Sequence, residues 1–524
     1  MMLVVSSVFA AEVRLFEVDS ADAFVGGEVS AVSVDPLGVV TLAPRIERLT
    51  GFDVAYVLSA TATDDGWVVG TGNTGEVLAV SADGTVSLLH TTEAPAVFAV
   101  TALDDGSVLV ASSPDGAIER LHNGAVETLF APGGTYIWDL AADGRGGLWV
   151  ATGLPGELIH RDAEGRQRVL LSGVDVHARS LAVRDDGSVV VGTAGRGMVF
   201  EVSLDGRVRT LFDAREPEIV DLVLDPDGGL WIAAVASEAS QVDLGSTTQA
   251  GGGPDPDNEV SVSVEGGAVS VGSRPAGFNG PRSTLHYLDP ASGITREVWA
   301  FDDTTIHSLL WQDDALWVGT GLDGRLYRWQ DERMLLDKDL DEKQIAALTP
   351  GQGAIDRPAV VTTNVGALYA LGPGLEPRGE VVSSVFDTAE ISRFGTLSWR
   401  GDTVTGTAVR LAVRTGMSAE PDDTWTPWQG FGDAREAALE VVAPARYVQW
   451  KLTLEGDGDT SPRVDAVWLS YRQENQRPRI RALGALAPGE VLVPSTFNPS
   501  SDVLEPWSET RASMFVSPDD DDSG

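Results

Sequence analysis

At 524 residues the chain exceeds what one ordinary core fills, so several domains or a repeat array are expected. Its formal net charge of −41 disfavours free nucleic acid as a partner, because phosphates would be repelled. The lack of cysteine excludes disulfides, thiolate metal sites and a cysteine nucleophile, and 43% hydrophobic residues argue against wholesale disorder.

The first eleven residues, Met1 to Ala11, are apolar and end in small residues, with Val8-Phe9-Ala10 as a cleavage-like site. They read as the second half of a secretory signal without its basic start, so export to the periplasm or exterior is expected. The rival reading is an N-terminal strand. No other stretch approaches the roughly 20 apolar residues of a membrane span.

Residues 12–50 hold two strand-like runs, Val29 to Val34 and Val39 to Leu42, around a Pro36-Leu37-Gly38 turn. A repeated phrase then begins. It is clearest as Ile306 to Leu310, Asp313-Asp314, Ala315-Leu316-Trp317-Val318-Gly319-Thr320, Gly324-Arg325-Leu326-Tyr327 and Met334-Leu335-Leu336. Each run is four or five residues of strand-forming type bounded by Gly or Asp, which predicts three or four short antiparallel strands with tight turns. Earlier copies carry Asp64-Asp65-Gly66, Asp104-Asp105-Gly106 and Asp185-Asp186-Gly187 at one turn; a later, partial copy has Gly366-Ala367-Leu368-Tyr369. The equivalent glycines 75, 116, 156 and 197 recur every 40–41 residues. Four strands with a period near 40 predict a β-propeller, here of seven blades over residues 12–379. The seventh copy lacks a fourth strand, so a strand from within residues 28–43 is expected to complete it and remove an open edge. Trp149, Trp231 and Trp317 are expected in the core between blades.

Leu316-Trp317-Val318-Gly319-Thr320 followed by Gly324-Arg325-Leu326-Tyr327 resembles the propeller repeats of bacterial two-component sensor ectodomains. The phrase is also loosely similar to NHL and WD40-like propellers, although the Gly-His and Trp-Asp pairs of true WD40 repeats are absent. Over residues 12–510 the chain looks like exported bacterial proteins in which such a propeller precedes a β-sandwich. The resemblance implies a fold and is nearly silent on activity.

Residues 236–282 interrupt the fifth copy between its second and third strands. The insert begins Gly- and Pro-rich, with an Asp255-Pro256-Asp257-Asn258-Glu259 run that lacks calcium-loop spacing, and a solvated loop is the expectation there. Its place in the blade predicts that it lies on the face where the innermost strands start and gates or borders the ligand site; a free loop is the rival. Residues 380–474 show period-2 runs at Val409 to Arg414 and Tyr447 to Leu454, which predict an antiparallel β-sandwich. It resembles the galactose-binding-like jelly rolls that often bind sugars, and Trp425 and Trp428 are its candidate stacking residues; packing inside the sandwich is the rival. Residues 475–524 read as an irregular arm and an acidic tail.

A propeller's default site is the axial mouth. Aligned copies place Phe98, Trp138, Arg179, Val220 and His307 at one position of the first strand, then Ala99, Asp139, Ser180, Asp221 and Ser308. Trp138, Asp139, Arg179, Asp221 and His307 break an otherwise apolar column and form the candidate ligand site, with a sealing Asp-Arg-His network as the competing expectation. Propeller lactonases hold a divalent ion with Glu, Asn and Asp, and streptogramin-lyase-like propellers use His with an acid. Asp139, Asp221 and His307 offer similar donors without the motifs of either family, so any enzyme reading is an analogy of fold. No cofactor is predicted, though a divalent cation is an option at the mouth or on the acidic surface. The sequence thus reads as a non-catalytic binding module of the cell envelope with an unidentified protein, small-molecule or glycan ligand. A metal-dependent hydrolase or lyase at the mouth and a glycan binder in the sandwich are the alternatives.

Overall fold

The computed structural model describes residues 13–236, 280–321, 324–353, 355–474, 491–494 and 504–507. Contacts divide the chain into Val13–Arg472 and a second unit made of Met1–Glu12 with Gln473–Gly524. In the second unit the described residues form one hairpin, Val491–Pro494 with Leu504–Trp507. The expectations for residues 1–11, for most of the insert 236–282 and for the acidic tail lie outside the described residues.

The chain is nearly all β; its helix among the described residues is the five-residue Ala21–Val25. The repeats fold into seven four-stranded antiparallel units, whose first strands are Val57–Thr63, Ala96–Ala102, Tyr136–Ala142, His177–Val183, Glu218–Leu224, Ile306–Gln312 and Gln344–Thr349. Each first strand lies against the first strand of the next unit, and that of the seventh lies against that of the first, closing a circuit. The second strands Gly66–Thr71, Val108–Ser113, Leu148–Gly153, Val189–Ala194, Leu230–Val235 and Ala315–Thr320 are buried at every residue, because both of their faces meet a neighbouring sheet. Fourth strands such as Val86–Thr91 are mostly exposed.

The repeated words have local causes. At Gly197 and Gly324 φ is +65° and +66°, and an added Cβ would meet the carbonyl oxygens of Glu216 and Glu342 at 1.9 and 1.8 Å. Only glycine lets the third strand begin so close to the segment entering the next unit. The threonine ending the second strand bridges the same loop: Thr71, Thr152 and Thr320 Oγ1 donate to the carbonyls of Glu76, Glu157 and Arg325. Asp313 and Asp314, both at positive φ, make the two-residue turn where other copies use Asp-Asp-Gly.

The N-terminal segment departs from expectation. Pro44–Gly51, not a strand within 28–43, pairs with Ala367–Leu375 and completes the seventh unit. The expected run instead splits: Glu28–Ser30 pairs with Arg378–Val382, and Val32–Val34 with Val40–Leu42. Arg14–Val18 pairs with Arg463–Gln473. The physical reason is burial. Val32, Val34, Val40 and Leu42 are 0–3% exposed in one core with Leu411, Val448, Trp450, Leu452 and Leu469, whereas the closing strand Pro44–Gly51 is an outer edge with half of its residues exposed. The apolar run goes to the core, and the polar run Arg45-Ile46-Glu47-Arg48 caps the edge. Trp149, Trp231 and Trp317 are 0%, 5% and 7% exposed, packed between units as expected.

Candidate functional site

In all seven first strands the pairing with the second strand slips by one residue at the same place. The extra residues are Leu58, Phe98, Trp138, Arg179, Val220, His307 and Ala346. A bulge leaves one residue out of the ladder and re-aims its side chain. Here the device is repeated seven times, and six of the seven bulged residues keep partial exposure, Trp138 being buried.

Beyond the bulge, the next residue fastens one unit to the following one in five of the seven. Ser59 and Ser180 hydroxyls donate to the carbonyls of Val97 and Ile219, and Ser308 accepts from the Leu348 N–H. Asp139 Oδ1 and Oδ2 accept the N–H groups of Leu140 and Leu181, both at 2.8 Å. Asp221 does the same with Leu222 and Leu309 at 2.8 and 2.7 Å. These carboxylates therefore serve first as unit-to-unit fasteners. Both are half-buried among the first strands. Burial pushes the Asp139 carboxyl up to about 7, with the Asp221 charge adding to it and the two N–H groups and Arg179 opposing it. Burial likewise pushes Asp221 up to about 6 against its two N–H groups and Arg179.

Three of the bulged side chains hydrogen-bond forward to the residue two positions before the next bulge. Trp138 Nε1 donates to His177 Nδ1 at 3.0 Å, Arg179 Nε to Glu218 Oε1 at 3.2 Å, and Gln344 Nε2 to His307 Nδ1 at 2.9 Å. Gln344 is held in turn by Asn364, and His307 Nε2 lies 3.0 Å from Thr305 Oγ1. Burial, then the Arg179 charge, holds His307 down at about 4, so its imidazole is neutral. Arg179 Cζ sits 4.5 Å from the Trp138 ring centroid, and Trp138 packs on Tyr136 at 4.9 Å and Phe98 at 4.8 Å. Gly153 leaves room for this pairing: a Cβ there would meet His177 Nδ1 at 2.1 Å and Trp138 Nε1 at 2.4 Å.

Trp138, Asp139, Arg179, Asp221 and His307 thus stand on one circuit of strands, as candidates for a ligand site. Sequence reasoning missed Tyr136, His177, Glu218 and Gln344. They were detectable, since the column two residues ahead of the bulge is polar or aromatic in Tyr136, His177, Glu218, Thr305 and Gln344. Among the described residues no group of three or more His, Asp or Glu stands where it could hold a metal ion.

In the C-terminal sheet Trp425 is 7% exposed, and its Nε1 donates to Ser418 Oγ. Trp428 is half-buried, with the Arg414 guanidinium 4.6 Å and the Lys451 ammonium 5.2 Å from its ring centroid. Arg414 also stacks on Trp425 at 5.4 Å, giving a Trp-Arg-Trp ladder.

No protein-family model matches the sequence, and no curated protein matches it. Among solved structures it is similar to a streptogramin B lyase, at 10% identity over 63% of this chain and 97% of that one, with a TM-score of 0.48. The extracellular domain of BT4673 from B. thetaiotaomicron matches at 13% identity and a TM-score of 0.45, over 69% of this chain and 43% of that one. The WD40 β-propeller domain of Doa1 matches at 10% identity and 0.43, over 62% and 97%. Among the described residues no helix is long and apolar enough to cross a membrane.

Proposed function

We propose that the chain is a non-catalytic binding module whose seven four-stranded units are the blades of a propeller, and that its ligand or partner is taken at the axial face. The closed circuit of first strands supports the architecture, with blades over residues 44–375. A β-sandwich of residues 14–42 and 378–474, sharing one core, completes the fold. The site comprises Trp138, Asp139, Arg179, Asp221 and His307, joined by Tyr136, His177, Glu218 and Gln344. The observation that carries this reading is the sevenfold bulge, which spends a ladder position in every unit to turn one side chain out of register. An exported location is part of the same proposal, supported by the apolar composition of residues 1–11.

A metal-dependent hydrolase draws no support from the donors: each oxygen of Asp139 and Asp221 is already engaged by a backbone N–H, and His307 is engaged on both ring nitrogens. The glycan reading loses Trp425, which is buried, and keeps only Trp428. The test is a thermal-shift screen of small molecules on the full chain, with hits repeated on Phe98→Ala, Arg179→Ala and Trp428→Ala. Hits sensitive to the first two and indifferent to the third are expected. Hits sensitive only to Trp428→Ala would move the site to the sandwich.

A further inference from the structure

We infer that the axial face is a receptor for an organic carboxylate with an apolar body, and that Arg179 supplies the carboxylate contact. The inference rests on the axial-site reading above and adds the chemistry of the ligand.

Arg179 is the one cation among the seven bulged residues. Its guanidinium is fixed twice, by the face of Trp138 and by Glu218, which takes the Nε–H. Both restraints leave the far edge of the fork open. The two Nη groups meet no hydrogen-bond acceptor among the described residues, and the side chain is 30% exposed. An arginine held over an aromatic ring, with two N–H donor groups that no described residue uses, matches the two oxygens of a carboxylate. Asp139 and Asp221 make no hydrogen bond to those donors; their oxygens accept backbone N–H groups instead.

The rest of the circuit sets the body of the ligand. Leu58, Phe98, Val220 and Ala346 occupy the same bulge position, are apolar, and keep partial exposure. His307 contributes a neutral ring whose two nitrogens are already occupied. The surface therefore offers one fork for an anion and an apolar remainder, which fits a compact acid better than a sugar or a free phosphate. The formal charge of −41 repels anions at long range. That field is screened beyond about 8 Å at physiological ionic strength, whereas the fork acts at contact.

The test uses the full chain at about pH 6 in about 0.15 M salt, with benzoate and its neutral isostere benzamide as probes, titrated by calorimetry or ligand-observed NMR. Benzoate is expected to bind about tenfold or more tighter than benzamide, the gap set by a charge-assisted pair of hydrogen bonds. Arg179→Gln should remove that preference, and Arg179→Lys, which keeps the charge and loses the fork, should weaken it. Glu218→Gln, which removes the neighbouring carboxylate, should strengthen it. Inorganic phosphate, lacking the apolar body, should bind more weakly than benzoate. Equal binding of the two probes, or a benzoate preference that survives Arg179→Gln, overturns the inference. If both probes bind equally and both are weakened by Phe98→Ala, the carboxylate idea falls while the axial site stands. If neither probe senses Phe98→Ala, the axial site falls with it.

Discussion

Asp139→Asn should change how stability depends on pH, in a direction fixed by the site. In the folded chain burial holds the Asp139 carboxyl at about 7, against 3.8 for the free side chain. Between these values the folded protein keeps a proton that the unfolded chain has lost. By linkage, stability is then greatest at low pH and falls as pH rises through about 7. A difference of about 3 pKa units corresponds to roughly 4 kcal/mol, of which about 2–3 kcal/mol falls between pH 5 and 7. The charged groups that act on Asp139 are Asp221 and Arg179, both on other first strands, and both remain in the variant. The amide removes the titration but puts an N–H₂ where one oxygen accepted from Leu140 or Leu181, a cost of about 1–3 kcal/mol at every pH. The assay is denaturant unfolding of both proteins at pH 5, 6, 7 and 8. The wild type should be the more stable at pH 5, and its advantage should shrink or reverse by about 2–3 kcal/mol by pH 7. An advantage that stays flat, or grows with pH, refutes the reasoning that burial dominates this carboxyl.

Trp149→Ala should cost roughly 3–5 kcal/mol, since the ring is fully buried and its Nε1 donates to the Gly187 carbonyl across two units; chemical denaturation measures it. Deleting residues 44–51 strips the partner from Ala367–Leu375 and leaves an open edge, so the variant should be recovered as aggregate, whereas wild-type-like solubility would mean that the closing strand is dispensable. His307, held at about 4, should show neutral imidazole shifts by NMR from pH 8 down to pH 5; titration near 6.5 would remove it from the buried network. Trp425→Ala should lower the unfolding midpoint, because the ring fills the space over Gly416, while Trp428→Ala should change it little.

Much of the candidate site was legible in the repeat itself. Aligning copies on Asp-Asp-Gly and Gly-Thr puts Phe98, Trp138, Arg179, Val220 and His307 in one column, and that column is the bulge position. Asp139 and Asp221 were also found, but as ligand candidates, because sequence shows only that an acid breaks an apolar run. Their use as fasteners depends on which backbone N–H groups of the neighbouring first strand come within reach, and only the folded strands show that. His177 and Glu218 were passed over because each looks like an ordinary polar residue at a strand start.

The sequence by itself determined the local units. Strand-forming runs, glycines with no room for a Cβ and loop-bridging threonines act within some 40 residues, so short-range rules suffice to read them. The same rules picked the wrong part of the N-terminal segment to complete the seventh unit, favouring a strand within residues 28–43 over Pro44–Gly51. Only the tertiary structure decided between them, by sending the apolar run to the core it shares with Trp450 and Leu452 and the charged run to a solvent-facing edge. Burial is a property of the assembled chain, and partners more than 300 residues apart in sequence, such as Ile46 and Leu371, carry no local signal of each other.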